Sequence, residues 1–336
     1  MHLPPFGSPP AEISMALDGT RPADFSGSDA DWNAYFDTLV ADIRDHIWPA
    51  WDAATNTWTG GAAANATEAT RQELQIMIDR IQAPGVLDQL PSTPNYAGDA
   101  PPRDHYWNYA IEDFVGSDFI KGLIRRFPAK YPDLVPIEET ITAFPSNNVA
   151  YYDETLDPAD MGALFGHMFT HKYNGIYNTK LIFRRCRPQQ AAYILGLHDF
   201  VWRQAAANVH TGNHPALISG HCSQGLLFAC TLADAKLSAG VAPGDIRLQD
   251  YKQYGVDFGD RRVFGAVHYP TDNIASWIAV LRLIPWVFAD NGPFLRDMIK
   301  DALQNQSILY QIIQDTFPGS AELRPAWDIL QAELAA

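Results

Sequence analysis

The chain reads as all-α, a single helical-bundle domain carrying an N-terminal extension. Three observations predict this. Apolar residues recur at helical spacing through most of the sequence, alternation of the strand type never persists beyond a few residues, and runs of β-branched residues are missing. At 336 residues there is ample chain to bury a core, and neither an internal repeat nor a clear linker divides it. The expected organisation is an extension with helices packing on the core over residues 1–150, and a helical core over residues 151–336.

The first thirty or so residues are rich in Pro, Gly and Asp and read as a surface arm. From Asp31 to Trp51, the residues Trp32, Tyr35, Phe36, Leu39, Val40, Ile43 and Ile47 fall at helical spacing, and Asn56 to Ala66 reads as a loop. Thr67 to Ile81 is an amphipathic helix with Leu74, Ile76, Met77 and Ile81 as its apolar positions. Pro84 to Pro102 is irregular, and Asp104 caps a helix reaching Phe127. A long helix starts at Pro158, capped by Asp157, and continues to about Arg185, where Pro188 stops it. Gln189 to about Ala207 follows as a helix, and Asn208 to Gly220 as a loop. The next helix begins beside His221 and runs to about Ala239. Helices over Leu248–Val267, Thr271–Ala289, Pro293–Thr316 and Ala321–Leu334 complete the chain.

Composition narrows the functional classes. The net charge of −15 opposes a nucleic-acid partner, which needs clustered Lys and Arg. Three cysteines, Cys186, Cys222 and Cys230, without a CxxC spacing support neither a disulfide framework nor a zinc site, and read as small buried apolar residues. The most apolar run, Ile274 to Ala289, is shorter than the ~20 residues of a membrane span and is interrupted by Arg282, so the expectation is a soluble protein that does not span a membrane. The N-terminus has no secretory pattern; a removed leader would place the protein in the periplasm or outside the cell. A homo-oligomer is compatible with all of this.

The chemistry concentrates between Lys180 and Asp272 in three segments. The first, KLIFRRCRP, has six residues between Lys180 and Arg187; the second ends in Ser219-Gly220-His221; the third, RVFGAVHYPTD, carries Arg262, His268 and Asp272. A tetrahedral oxyanion needs two or three cations to balance its charge, and Lys180, Arg187 and Arg262 are the candidates. Ser219-Gly220-His221 falls at a loop-to-helix junction, where free N–H groups and the helix dipole favour an anion and Gly220 permits close approach. Two imidazoles can divide the work, one attacking phosphorus and the other protonating the departing oxygen. Asp272, four residues after His268, can accept an N–H from one ring nitrogen and leave the other free to attack. Singly, each residue has a plainer explanation: a solvated cation, a helix cap, a surface hydrogen bond. The three segments in this order weaken those explanations. Arg184 and Arg185 read as charges behind the site or on the surface.

The combination resembles the superfamily of type 2 phosphatidic acid phosphatases, bacterial class A acid phosphatases and vanadium-dependent haloperoxidases. Its signature appears here as Lys180…Arg187-Pro188, Ile218-Ser219-Gly220-His221 and Arg261-Arg262…His268…Asp272, with Ile218 in place of the usual Pro and Arg261 in place of the usual Ser. The resemblance implies a helical bundle with the site in its core. His268 would be the nucleophile, Asp272 its orienter, and His221 the general acid and then base. Lys180, Arg187, Ser219, Gly220 and Arg262 would bind the oxyanion. In the haloperoxidases the same pocket holds vanadate, with the residue matching His268 bound to the metal.

Two activities therefore stand as expectations. The leading one is a soluble phosphomonoesterase that needs no cofactor, takes a small phosphate ester and is inhibited by vanadate. The 40 residues between His221 and Arg262 favour it, because the haloperoxidases insert more there. The alternative is a vanadium-dependent haloperoxidase, with vanadate as cofactor and a halide, peroxide and an organic molecule as reactants. His214, seven residues before His221, and Gln224 resemble the algal bromoperoxidases in spacing. His214 and Tyr177, one turn before Lys180, are the candidates for a substrate or halide pocket.

Overall fold

The computed structural model describes residues 21, 25–48, 51–52, 57–58, 67–83, 179, 183, 185, 187–200, 216–264, 266–288 and 290–336. Among these the chain is helical, apart from a two-residue antiparallel pair that joins Trp51–Asp52 (β1) to Thr57–Trp58 (β2). That pair corrects the expectation of a helix reaching Trp51 and an unstructured loop after Asn56. None of the described helices is long and apolar enough to cross a membrane. The expected helices over 104–127 and most of 158–185 lie outside the described residues.

Helix α1, Asp29–Asp42, begins with a reciprocal cap: the Asp31 N–H donates to Ser28 Oγ at 3.2 Å, and the Ser28 N–H donates to Asp31 Oδ2 at 2.8 Å. The helix widens into a π turn over Ile43–Ile47. Its buried stripe of Trp32, Tyr35, Phe36 and Leu39 is the one the spacing predicts. Phe25 stacks on Trp286 at 4.9 Å and meets Trp32 edge-on at 5.4 Å, so the segment just before α1 is packed onto the C-terminal half. Helix α2, Glu68–Ile76, also ends in a π turn, Met77–Ile81, and is capped by Thr67 Oγ1, which accepts from the Thr70 N–H.

Helix α3 spans Pro188–Leu195, so Pro188 opens a helix at the position where its missing N–H costs nothing. The expected continuation to Ala207 is not made. Gly196 takes φ +67°, and the Leu197 N–H returns to the Ala192 carbonyl at 2.9 Å, which closes the helix.

Helices α4, Gly220–Ser238, and α5, Ile246–Phe264, form an antiparallel pair. Two glycines one turn apart on α5 allow the close approach. A Cβ on Gly255 would lie 3.0 Å from the Ala229 Cβ, and one on Gly259 would lie 2.6 Å from Cys222 Sγ. Because the pair is antiparallel and pinned at Gly259, the end of α5 that carries Arg262 lies beside the start of α4, which carries Gly220. Cys222 and Cys230 are both buried, as expected of small apolar residues.

Helix α6, Pro270–Val287, is the centre of the core, with every residue from Pro270 to Leu281 buried. It packs against α4, α7 (Gly292–Gln306) and α9 (Arg324–Ala335), and against the π turn that ends α1. A single helix over Pro293–Thr316 is replaced by two, α7 and α8 (Ile308–Thr316). The break falls at Ser307, whose Oγ accepts from the Tyr310 N–H and is itself held by both oxygens of Asp260 on α5. A tertiary contact from α5 thus overrides a continuous local helix pattern.

Candidate functional site

Three backbone connections draw the motif segments together. The Ala216 N–H donates to the Arg185 carbonyl at 2.9 Å, which joins the first segment to the second. The Ser219 N–H donates to the Asp272 carbonyl at 3.3 Å, and Ser276 Oγ donates to the carbonyls of both Ser219 and Asp272 at 2.9 Å, which joins the second to the third. Within the third, the N–H groups of Val267 and His268 both point to the Arg262 carbonyl, which folds the end of α5 back over the turn that leads to α6. Ala266 holds φ 60° in that turn, a left-handed conformation that costs a residue with a Cβ roughly 1–2 kcal/mol.

His268 lies at the centre, 1% exposed. Its Nδ1 is 2.9 Å from Asp272 Oδ2, and its Nε2 is 2.9 Å from Arg187 Nη1. A guanidinium has only donors, so Nε2 accepts, and the ring hydrogen belongs on Nδ1, donated to Asp272. This is the tautomer that leaves Nε2 with a lone pair. The sequence places Asp272 one helical turn after His268; the structure makes the contact by another route. His268 precedes the helix, and Asp272 sits in the first turn of α6, where Oδ2 also accepts the Tyr269 N–H at 3.1 Å. One carboxylate therefore caps the helix and orients the imidazole.

Arg187 Nη1 also donates to the Val267 carbonyl at 2.6 Å. Arg187 and Arg262 are both buried. Ser219 precedes α4, whose first-turn N–H groups have no acceptor within the helix. Ser219 Oγ is buried without a hydrogen-bond partner among the described residues. Buried cations, an unpartnered hydroxyl and a helix start suit an oxyanion, and the match holds for phosphate and for vanadate alike. Gly220 is the first residue of α4, and of His221 and Gln224 the structure describes the backbone, in the first two turns. Lys180, Tyr177 and His214 lie outside the described residues.

The sequence undervalues two residues. Arg185, 1% exposed, donates through Nη1 to Asp272 Oδ1 at 2.9 Å and to Thr271 Oγ1 at 2.7 Å, and through Nη2 to Glu73 Oε2 at 2.6 Å. Its guanidinium carbon stands 3.6 Å from the centre of the Tyr269 ring. Glu73, on α2, is 1% exposed and accepts the Thr271 N–H through Oε1 at 2.6 Å. Burial pushes the Glu73 carboxyl above its ordinary range, against the pull of Arg185 and Thr271. Burial also opposes the Arg185 charge, but Glu73 and Asp272 outweigh it and hold the guanidinium more basic than usual. A signal for Glu73 was present in the pattern. It shares the inner face of its helix with Thr70, Leu74 and Met77, where the period calls for an apolar residue.

No protein-family model, curated protein or solved structure matches this chain, so the functional reading rests on the residues and their geometry.

Proposed function

We propose that the chain is a phosphomonoesterase of the superfamily that its three motif segments resemble, working through a phosphohistidine at His268. The observation that carries this reading is the His268 ring held between Asp272 and Arg187, with its hydrogen on Nδ1 and its lone pair on Nε2. The phosphoryl oxygens bind Arg187, Arg262, Ser219 Oγ and the N–H groups that start α4, with Lys180 as a further cation. Nε2 attacks phosphorus, the bond to the ester oxygen breaks, and His221 gives that oxygen a proton. Water then attacks the phosphohistidine with His221 taking its proton, and inorganic phosphate and free Nε2 are released. Asp272 keeps the ring in one tautomer and balances the positive charge that develops on it.

The test is hydrolysis of an aryl phosphate by the wild-type protein and by His268→Ala, with an alkaline quench and mass spectrometry to find phosphate on His268. Turnover by the wild type, loss in the variant and a phosphorylated His268 are expected. Equal turnover by the variant, or none by the wild type, would overturn the reading. The second reading, a vanadium-dependent haloperoxidase, draws on the spacing of His214 and Gln224 to His221. Arg187, Arg262 and Ser219 would hold vanadate, with His268 as its protein ligand. Bound vanadate would activate peroxide for halide oxidation. Bromide oxidation by vanadate-loaded protein in the presence of peroxide would select it.

A further inference from the structure

We infer that Glu73 and Arg185 are positioning residues for the His268–Asp272 pair, so that the working centre extends to a carboxylate from α2, far outside the three motif segments. The inference rests on the reading of His268 as the nucleophile.

Asp272 has two oxygens with different duties. Oδ2 serves His268 Nδ1 and the Tyr269 N–H. If nothing held Oδ1, the carboxylate could turn about its last bond and present Oδ2 to the ring at the wrong angle. Arg185 Nη1 holds Oδ1 at 2.9 Å. The guanidinium is fixed in turn, by Glu73 Oε2 on its other nitrogen and by the face of Tyr269 beneath it. Glu73 then closes a ring: its second oxygen takes the N–H of Thr271, the residue before Asp272, and Thr271 Oγ1 accepts from Arg185 Nη1. Glu73, Arg185, Asp272 and Thr271 thus fix one another, and the ring is attached to the reacting imidazole at one point, Oδ2.

A purely structural account of this pair is weak on energetic grounds. Burying two charges costs several kcal/mol each before they attract, and packed apolar residues commonly do as well or better. Both charges here are buried, and the far end of the guanidinium lands on the carboxylate that orients His268. Such an arrangement suits a site in which an error of about 1 Å costs on the order of 100-fold in rate. Without it the ring populates the tautomer with hydrogen on Nε2, which has no lone pair for phosphorus.

The test uses the full chain with ¹⁵N-labelled histidine, as wild type, Glu73→Gln, Arg185→Lys and Arg185→Met. Two quantities are read: kcat and KM for an aryl phosphate, and the ring nitrogen shifts of His268. Glu73→Gln is expected to lower kcat by about 10- to 100-fold with KM within about twofold, and to turn a single Nδ1–H tautomer into a mixture. Arg185→Met goes further, and Arg185→Lys, which keeps a charged donor, recovers part of the loss. If Arg185→Met does not fold, Glu73→Gln, which preserves size and an acceptor for Thr271, decides alone. A folded Glu73→Gln protein with an unchanged tautomer overturns the inference, whatever its activity. A wild type without phosphatase activity whose Nδ1–H tautomer is lost in Glu73→Gln would overturn the phosphomonoesterase reading and leave the positioning role standing.

Discussion

Arg187 Nη1 lies 2.9 Å from His268 Nε2, so the guanidinium occupies the lone pair on that ring nitrogen. Under the proposed mechanism, phosphorus can be attacked only after that contact is exchanged for one between Arg187 and the phosphoryl oxygens. On that reading the same side chain would both guard the ring and bind the anion. Lysine in its place supplies a point charge but not the planar fork. Arg187→Lys is expected to lower kcat/KM for an aryl phosphate by roughly 100- to 1,000-fold and to weaken competitive inhibition by inorganic phosphate. Steady-state kinetics with phosphate as inhibitor check this; wild-type values for both would remove Arg187 from the site.

Gly259 sets the distance between α4 and α5. A Cβ there would stand 2.6 Å from Cys222 Sγ, 2.9 Å from the Cys222 Cβ and 3.0 Å from Asn273 Nδ2, all of them buried. Alanine favours an exposed helix by up to about 1 kcal/mol, but the overlap is expected to win, at about 1–3 kcal/mol of destabilisation. Gly259→Ala is expected to melt below the wild type. Adding Cys222→Ala, which removes the nearest atom, is expected to restore part of the loss, so that the two changes are not additive. Additive melting data would place the clash elsewhere.

The sequence was legible where one residue or one turn decides the outcome. Thr67 marks a helix start, and the stripe of Trp32, Tyr35, Phe36 and Leu39 marks a buried face. The His268–Asp272 spacing announces a contact, though the contact turns the corner of a helix cap instead of running along a helix. What was not legible depends on partners distant in the chain. Glu73 and Arg185 are 112 residues apart and acquire meaning only when Glu73 reaches the first turn of α6. The break at Ser307 is invisible locally, because the helical period continues through it and the cause is Asp260, 47 residues earlier. The end of α3 at Leu195 was readable from Gly196, and the apolar residues beyond it masked that signal.

Asp260 gives the fold a dependence on pH. Burial, with Asp257 nearby, pushes its carboxyl up to about 7, while the Leu309 N–H and Ser307 pull it down. The folded chain holds this proton more tightly than the unfolded chain does. The carboxyl therefore contributes stability that is complete below its unfolded value near 4 and is lost as pH rises through about 7, a change of about 2–4 kcal/mol. Asp260→Asn keeps an acceptor for Ser307 and cannot ionise. Melting temperatures from pH 4 to 8.5 are expected to fall more steeply in the wild type than in the variant, with the gap opening between about pH 4 and 7 and constant above that. Parallel curves would mean that Asp260 does not titrate in this range.

Arg282 interrupts the most apolar stretch of the sequence, and the structure shows what it does there. From α6 its Nη1 reaches Asp42 at the end of α1 at 2.6 Å, and its Nε reaches Glu333 on α9 at 2.7 Å. Glu333 is shared with Arg296 of α7 at 2.8 Å. Four helices thus meet through one part-buried cluster in which cations and carboxylates alternate. Removing Arg282 leaves Asp42 without this partner and Glu333 with Arg296 alone. A fully buried pair broken in this way costs about 3–5 kcal/mol; with a fifth of its side chain exposed, Arg282 is discounted to about 1–3 kcal/mol. Arg282→Met, which keeps the apolar stem, is expected to lower the urea midpoint by that amount with an unchanged slope. Combined with Asp42→Asn, it should cost less than the sum of the two single changes, because the second removes the charge that the first left exposed. Full additivity would show that the ion pair across α1 and α6 contributes nothing measurable.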